Sequence, residues 1–393
     1  MTYYTDISQF LKTRLTTGIQ RVIKEFLQRA ITDTYKLNVI YYDTTLKCYQ
    51  LLDNTELNHF LKDIKNYQFK NKQNINLYQQ TQKTKIFIEI DTVWNSELKR
   101  DTLYKKLKNH NYKIVNFIYD LIPLIHPNYL YTQTQQNFPT FLDAVFTHSD
   151  QVFFNSTSSK TDFLNLKKER KIKRDMKTDI LPLGADFTST KPNQIIKQNQ
   201  NTKPTQSHQT LLTKPYLLFV GTLEPRKQQP QVLKAFETLQ KTYPNLNLIF
   251  IGRVGWNVEP FIKTLQTHPL INKNLHHLQN IDDHTLTMFY KNAFIVTYIS
   301  DYEGYGLPIV ESLSYANITI TSKNSSMYEV GQDFADYILK NTQDELISMV
   351  SSYIQNPKTY KSKKEYIKNH YKTPSWDDFY KKLQTKLKNK SKK

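Results

Sequence analysis

The chain has 393 residues, with 54 Lys and Arg against 35 Asp and Glu, a net charge of +19 and a single cysteine, Cys48. That length exceeds one ordinary hydrophobic core and predicts two domains of under about 200 residues each. No apolar run is long enough to span a bilayer, residues 1–13 lack the cationic start and apolar core of a secretory signal, and one cysteine allows no internal disulfide.

These features predict a cytoplasmic protein. The positive charge asks for an anionic partner, and nucleic acid, an anionic membrane surface and a diphosphate-bearing substrate all qualify. Much of the excess is lysine in solvated runs such as 167–174 and 386–393, which charged helical faces explain for the most part.

In chain order, Ile19, Val22, Ile23, Phe26, Leu27, Ala30 and Ile31 recur at helical spacing and predict an amphipathic helix after a small-residue turn at Gly18. Short apolar runs at 37–42, 85–90, 114–119, 151–155 and 180–183 predict strands, with helices at 57–67 and 98–109 between some of them. Such alternation predicts a mostly parallel, doubly wound sheet. Residues 188–214, rich in Gln, Asn, Thr, Lys and Pro, read as a linker, part of it a disordered insertion.

A second α/β series follows, with strands at 216–221, 246–252, 293–299, 318–321 and 336–339 and helices at 258–266, 284–292 and 308–316. A last helix opens after Ser375. The expected domains are therefore 1–187, a linker at 188–214, a second domain at 215–372, and a closing helix with a basic tail at 373–393. The expected fold is α/β, with two doubly wound Rossmann-like domains facing a cleft.

The chemistry concentrates in the second half. Glu303 and Glu311 flank a Gly-x-Gly turn and a proline that predicts the first helical position, after a strand. That layout aims a helix N-terminus and a carboxylate at one spot, as a sugar nucleotide requires: amides for the diphosphate, carboxylates for ribose and sugar hydroxyls. Glu311 lies among Pro308, Ile309, Val310 and Leu313, so it needs a partner, which a ribose diol supplies.

Between another strand and helix lie Gly221, which allows a tight turn, and the adjacent cations Arg226 and Lys227. Cations are unfavourable at a helix start, so their placement points to a bound diphosphate. Gly252 and Arg253 follow a third strand, where a base and a phosphate would lie. Asp282 and Asp283 read as capping carboxylates.

In the first half, Asp120, Asn155 and Asp186 end apolar runs and are acceptor-side candidates. The triplet Glu89-Ile-Asp91 is a faint match to a metal-binding Asp-x-Asp motif, and His126, His148 and His284 have no metal-ligand spacing. The expectation is no metal, no cofactor and no thiol nucleophile.

Taken together, Glu303-Gly-Tyr-Gly-Leu-Pro-Ile-Val-Glu311, Val220-Gly-Thr-Leu-Glu-Pro-Arg-Lys227, Tyr119-Asp-Leu-Ile-Pro123, Thr17-Gly-Ile-Gln-Arg-Val22 and Ser325-Ser-Met-Tyr-Glu-Val330 resemble the retaining GT-B glycosyltransferases of glycosyltransferase family 4. The resemblance covers nearly the whole chain apart from the linker. It implies metal-independent sugar transfer from a nucleotide-sugar donor, with Glu303 beside the donor sugar, Glu311 on the ribose and Arg226 and Lys227 on the diphosphate. It also implies phosphate contacts from amides around Gly306 and Leu307, and Gly18 facing the nucleotide.

The bacterial polysaccharide and lipopolysaccharide enzymes are similar in pattern, which implies a saccharide or lipid-linked saccharide acceptor and a peripheral place at the membrane. Thr222, Tyr119 and Asn317 depart from residues often seen in that family, an arginine, a histidine and a glycine respectively. Two other readings remain: a basic nucleic-acid-binding protein, for which no motif speaks, and a catalytically silent GT-B scaffold.

Overall fold

The structure, a computed structural model, describes residues 1–15, 17–33, 37–187, 206–340 and 342–388. It divides into two compact units, Met1–Leu183 together with the segment from Trp376 onward, and Gly184–Ser375. The closing segment thus belongs to the first unit. Residues 188–205 of the expected linker lie outside the described residues, and its end forms the short helix Gln206–Leu211.

The first unit is built on eight strands: β1 (Thr2–Asp6), β2 (Leu37–Asp43), β3 (Cys48–Leu52), β4 (Lys72–Ile75), β5 (Lys85–Glu89), β6 (Tyr112–Ile118), β7 (Gln151–Phe154) and β8 (Lys177–Ile180). Their order is β4-β3-β2-β1-β5-β6-β7-β8. Pairing is parallel except that β3 runs antiparallel to both β2 and β4. The connection from β2 to β3 is too short for a crossover, and Asp43 Oδ1 closes it as a hairpin by accepting from the Thr45 and Leu46 amides.

β1 and β5 are buried throughout, as expected of parallel strands covered on both faces. The helix expected near Ile19 is Gly18–Thr32, and it buries Val22, Ile23, Phe26, Leu27 and Ala30. The last helix, Trp376–Lys388, packs on this unit: Phe379 lies against Phe117, Tyr380 against Phe26, and Arg29 Nε pairs with Asp377 at 2.7 Å.

Two expected elements shift. The strand read at 180–183 is Lys177–Ile180; Leu181 makes the last pairing bond, to Phe154, and Pro182 has no amide to continue the ladder. The helix read at 57–67 is Asn54–Lys62, because Asp53 caps it by accepting from the Thr55 and Glu56 amides.

The second unit carries six parallel strands, β9 (Tyr216–Val220), β10 (Asn247–Ile251), β11 (Leu275–Leu278), β12 (Ile295–Tyr298), β13 (Thr319–Ser322) and β14 (Asp336–Ile338), in the order β11-β10-β9-β12-β13-β14. From β9 the chain winds to one edge through β10 and β11, then returns to β12 and winds to the other. The carboxyl ends of β9 and β12 therefore form the topological switch point, where open α/β sheets place their ligands. Leu217, Phe219, Leu248, Phe250, Ile295 and Ile320 fill the core beneath it.

Candidate functional site

Two loops meet at that switch point, residues 221–228 after β9 and 299–306 after β12. They are laced together by backbone and side chains: Asp301 N donates to the Arg226 carbonyl at 2.8 Å, Ser300 Oγ donates to the same carbonyl at 3.2 Å, and Gln228 Nε2 donates to Asp301 Oδ2 at 2.7 Å. Gln228 adopts φ 46°, and the helix Gln229–Thr242 starts directly behind it.

This lacing brings four charged groups into one buried cluster. Arg226 Nη1 lies 2.5 Å from Glu303 Oε1, and Arg226 Nε lies 2.9 Å from Glu224 Oε2. Lys227 Nζ stands 3.9 Å from Glu303 Oε1 and donates to the Tyr298 hydroxyl at 3.1 Å. Arg226 Nη1 also donates to the Tyr302 carbonyl at 2.7 Å.

The four side chains sum to zero formal charge. Glu303 Oε1 and Glu224 Oε2 are buried and meet the cations through ion contacts rather than aligned hydrogen bonds. Burial alone pushes the Glu303 carboxyl up. The Arg226 and Lys227 charges, with the Tyr298 and Ser300 hydroxyls, outweigh it and hold the group below the ordinary carboxylate value. Burial, reinforced by the Glu303 charge, drives the Tyr298 phenol well above its usual value. Glu303 is therefore an anion fixed beside two cations.

The glycines have separate jobs. Gly221 sits at φ +153°, and a Cβ there would come 3.1 Å from Lys227 Nζ. A Cβ on Gly252 would lie 2.0 Å from the Gly221 carbonyl oxygen, so Gly252 serves the close approach of two backbone loops. Arg253 follows it, its carbonyl accepting from the Leu223 amide at 3.0 Å, while its buried Nε has no hydrogen-bond partner. Gly306, at φ +96°, precedes the helix Leu307–Ser314 and aims its first turn at the same region.

Glu311 is on the buried face of that helix, and the Tyr290 hydroxyl donates to its Oε2 at 2.8 Å. The backbone of Glu303 is held too: its amide donates to Ser325 Oγ at 3.0 Å, and its carbonyl accepts from Ser326 Oγ at 2.8 Å. Ser325 and Ser326 open the helix Ser325–Gly331, whose residues the sequence reading quoted without a role.

Glu303, Arg226, Lys227 and Gly221 are thus directly assembled, with Gly252, Arg253, Gly306, Leu307 and Glu311 on adjoining loops and helix turns. Gly18 and Asp120 belong to the first unit. Gly18 opens its helix, and Asp120 Oδ1 accepts from the Ile122 amide at 3.0 Å. Tyr119 is buried and donates to the Ile90 carbonyl at 2.8 Å. Glu89 is bound to Arg100 at 2.6 Å, and Asp91 accepts from the Phe10 and Thr92 amides.

Asp282 caps the helix Asp283–Asn292 through the Thr285 amide. Sequence reasoning assigned no role to Glu224, Tyr298, Tyr290 or Asn317. A hollow of about 420 Å³ lined by Tyr243, Phe294, Tyr353 and Tyr360 lies at the amino ends of β9 and β12, away from the charged cluster.

Residues 201–373 match the family model of the glycosyl transferases group 1.

The serotype-specific mannosyltransferase WbdA of Escherichia coli is 26% identical over 356 residues, covering 89% of this chain but 41% of its own length. The chain therefore spans about two fifths of that relative. The O-antigen chain mannosyltransferase B of Escherichia coli is 33% identical over 119 residues, 30% of this chain and 31% of that protein.

Among solved structures, Anabaena Alr3699/HepE in complex with UDP and glucose superposes with a TM-score of 0.66 at 12% identity, over 99% of this chain and 100% of that one. WaaG, a glycosyltransferase involved in lipopolysaccharide biosynthesis, gives a TM-score of 0.61 at 12% identity, over 99% of this chain and 100% of its own. The fold is GT-B. Among the described residues, no helix is long and apolar enough to cross a membrane.

Proposed function

We propose that this protein transfers a sugar from a nucleotide-sugar donor to a saccharide acceptor, with retention of anomeric configuration and without a metal ion, in the synthesis of a surface polysaccharide. The observation that carries the reading is the buried Arg226–Glu303–Lys227 cluster at the switch point between β9 and β12. A departing nucleoside diphosphate needs fixed positive charge where its own negative charge develops, and preorganised cations supply it without reorganisation at the moment of transfer. Arg226 offers a planar fork and Lys227 a point charge.

In this reading the first-turn amides at Leu307 extend the phosphate site. Arg253 supplies a further cation, Glu311 grips the ribose, and the fixed carboxylate of Glu303 lies beside the donor sugar. The mannosyltransferase relatives make a mannosyl donor the first to try, and the O-antigen chain in the name of one of them supports a lipid-linked acceptor at the cytoplasmic face of the membrane.

The test is turnover of GDP-, UDP-, dTDP- and ADP-sugars with a saccharide acceptor in EDTA, with the anomeric configuration of the product read by NMR. Product with the donor's configuration supports the proposal. Inversion, or activity abolished by EDTA and restored by manganese, overturns the corresponding part of it, and no turnover of any donor favours a silent scaffold.

A further inference from the structure

Glu311 sits on a helix, yet its carboxylate is held from outside that helix. Tyr290, on the helix Asp283–Asn292, reaches across and donates its hydroxyl to Glu311 Oε2 at 2.8 Å. Tyr290 is itself fixed three ways. Its ring stacks on Tyr315 with centroids 5.9 Å apart and planes 14° apart, Phe187 closes on it at 6.2 Å, and its backbone carbonyl accepts from Asn317 Nδ2 at 2.7 Å.

Asn317 is fully buried, three residues beyond the end of the Glu311 helix and following Ala316 at φ 55°. Its amide bonds back to the Ser312 carbonyl at 3.2 Å. The turn after the Glu311 helix therefore clamps the residue that holds Glu311. A glycine at 317 would have no side chain to make that bond.

We infer that Tyr290, locked by Asn317, is a positioning residue that fixes the plane of the Glu311 carboxylate for bidentate recognition of a ribose diol. This rests on the reading of Glu311 as the ribose-binding residue. A glutamate has three side-chain torsions, and gripping two vicinal hydroxyls requires that they be set before the ligand arrives. A tyrosine hydroxyl on a stacked ring, with only two torsions of its own, sets them at low entropic cost. A buried carboxylate also needs a donor when no ligand is present, and Tyr290 provides it.

The experiment compares binding of a ribonucleoside diphosphate and its 2′,3′-dideoxy counterpart, by calorimetry, to the wild type, Tyr290→Phe, Asn317→Gly and Glu311→Ala, with donor KM and kcat measured alongside. The wild type should favour the ribonucleotide about tenfold or more, and Glu311→Ala should lose that preference. Tyr290→Phe should lose most of it and raise donor KM with little change in kcat, because the interaction is made equally in ground and transition states. Asn317→Gly should give a weaker version of the same pattern.

A purely structural role for Tyr290 would lower the melting temperature and the amount of active protein while leaving the ribose-to-dideoxyribose ratio intact. That result overturns the inference. A wild type that does not distinguish the two nucleotides, or a Glu311→Ala variant that still does, overturns instead the reading of Glu311 on which the inference stands.

Discussion

A side chain at position 221 would share its space with the ammonium of Lys227: a Cβ there comes 3.1 Å from Nζ and 3.6 Å from Cδ. The backbone at Gly221 is also in the positive-φ region, at +153°, which L residues rarely adopt. The turn after β9 and the position of the Lys227 cation are thus one constraint. Gly221→Ala should cost about 1–3 kcal/mol of stability and move the ammonium off the Tyr298 hydroxyl. Denaturation and kinetics together check it: a stable Gly221→Ala enzyme with normal kcat would show that the fit of Lys227 against Gly221 is not needed.

Lys227→Ala should lower kcat by about 10²–10³, the usual effect of removing one preorganised donor from a developing charge. Lys227→Arg should rescue little, because the space between Gly221 and Tyr298 is shaped for an ammonium. Steady-state kinetics with a saturating donor separates this from a loss of affinity.

Glu224 anchors the Nε edge of Arg226 at 2.9 Å. Glu224→Gln keeps the shape and removes the charge, so the guanidinium should lose orientation and turnover should fall about tenfold. The same change leaves the cluster one unit more positive, so nucleoside diphosphate should bind as tightly or more tightly. Weaker product binding in Glu224→Gln would argue against a cluster that balances its own charge.

Two buried carboxylates give opposite pH signatures. Glu303 is held below the ordinary value despite its burial, so the stability it contributes is present above about pH 4.5 and lost as pH falls through its folded value. Glu303→Gln should flatten the acid limb of melting temperature against pH.

Glu89 is the reverse. It shares one guanidinium, Arg100, with Asp6, so only one of two buried negative charges is compensated, and burial lifts Glu89 to about 8. Its contribution is full below about pH 4.5 and is lost as pH rises toward 8. Glu89→Gln should therefore gain stability over the wild type progressively from pH 5 to pH 8, and a difference independent of pH would refute the account.

The sequence made the local half of this legible. Glu303, Arg226, Lys227 and Gly306 stand at strand-to-helix junctions, where hydrophobic periodicity changes and a charged or glycine residue is conspicuous. What it concealed are partners distant along the chain. Tyr290 and Glu311 are linked by a single hydroxyl across two helices, and Tyr298 looks like one more apolar residue at the end of a strand.

Glu224 lay within a quoted motif, but its pairing with Arg226 depends on how the turn folds. In the first unit, β1 is buried on both faces and so shows no alternation, while β4, Lys72–Ile75, is a polar, largely exposed edge with Ile75 as its one apolar residue. Asn317, which stands where similar sequences often have a glycine, makes its bond to Tyr290 through a side chain that a glycine lacks.

The return of Trp376–Lys388 to the first unit sets an order of synthesis. The second unit is a continuous stretch of chain and can complete its sheet as soon as residues 184–375 have left the ribosome. The first unit, although made first, must wait for the final helix before Trp376, Phe379 and Leu383 cover its face. Until then that face is apolar and open, so a ribosome stalled or a chain clipped near Ser375 would release a protein whose second unit is finished and whose first unit is a target for chaperones and proteases.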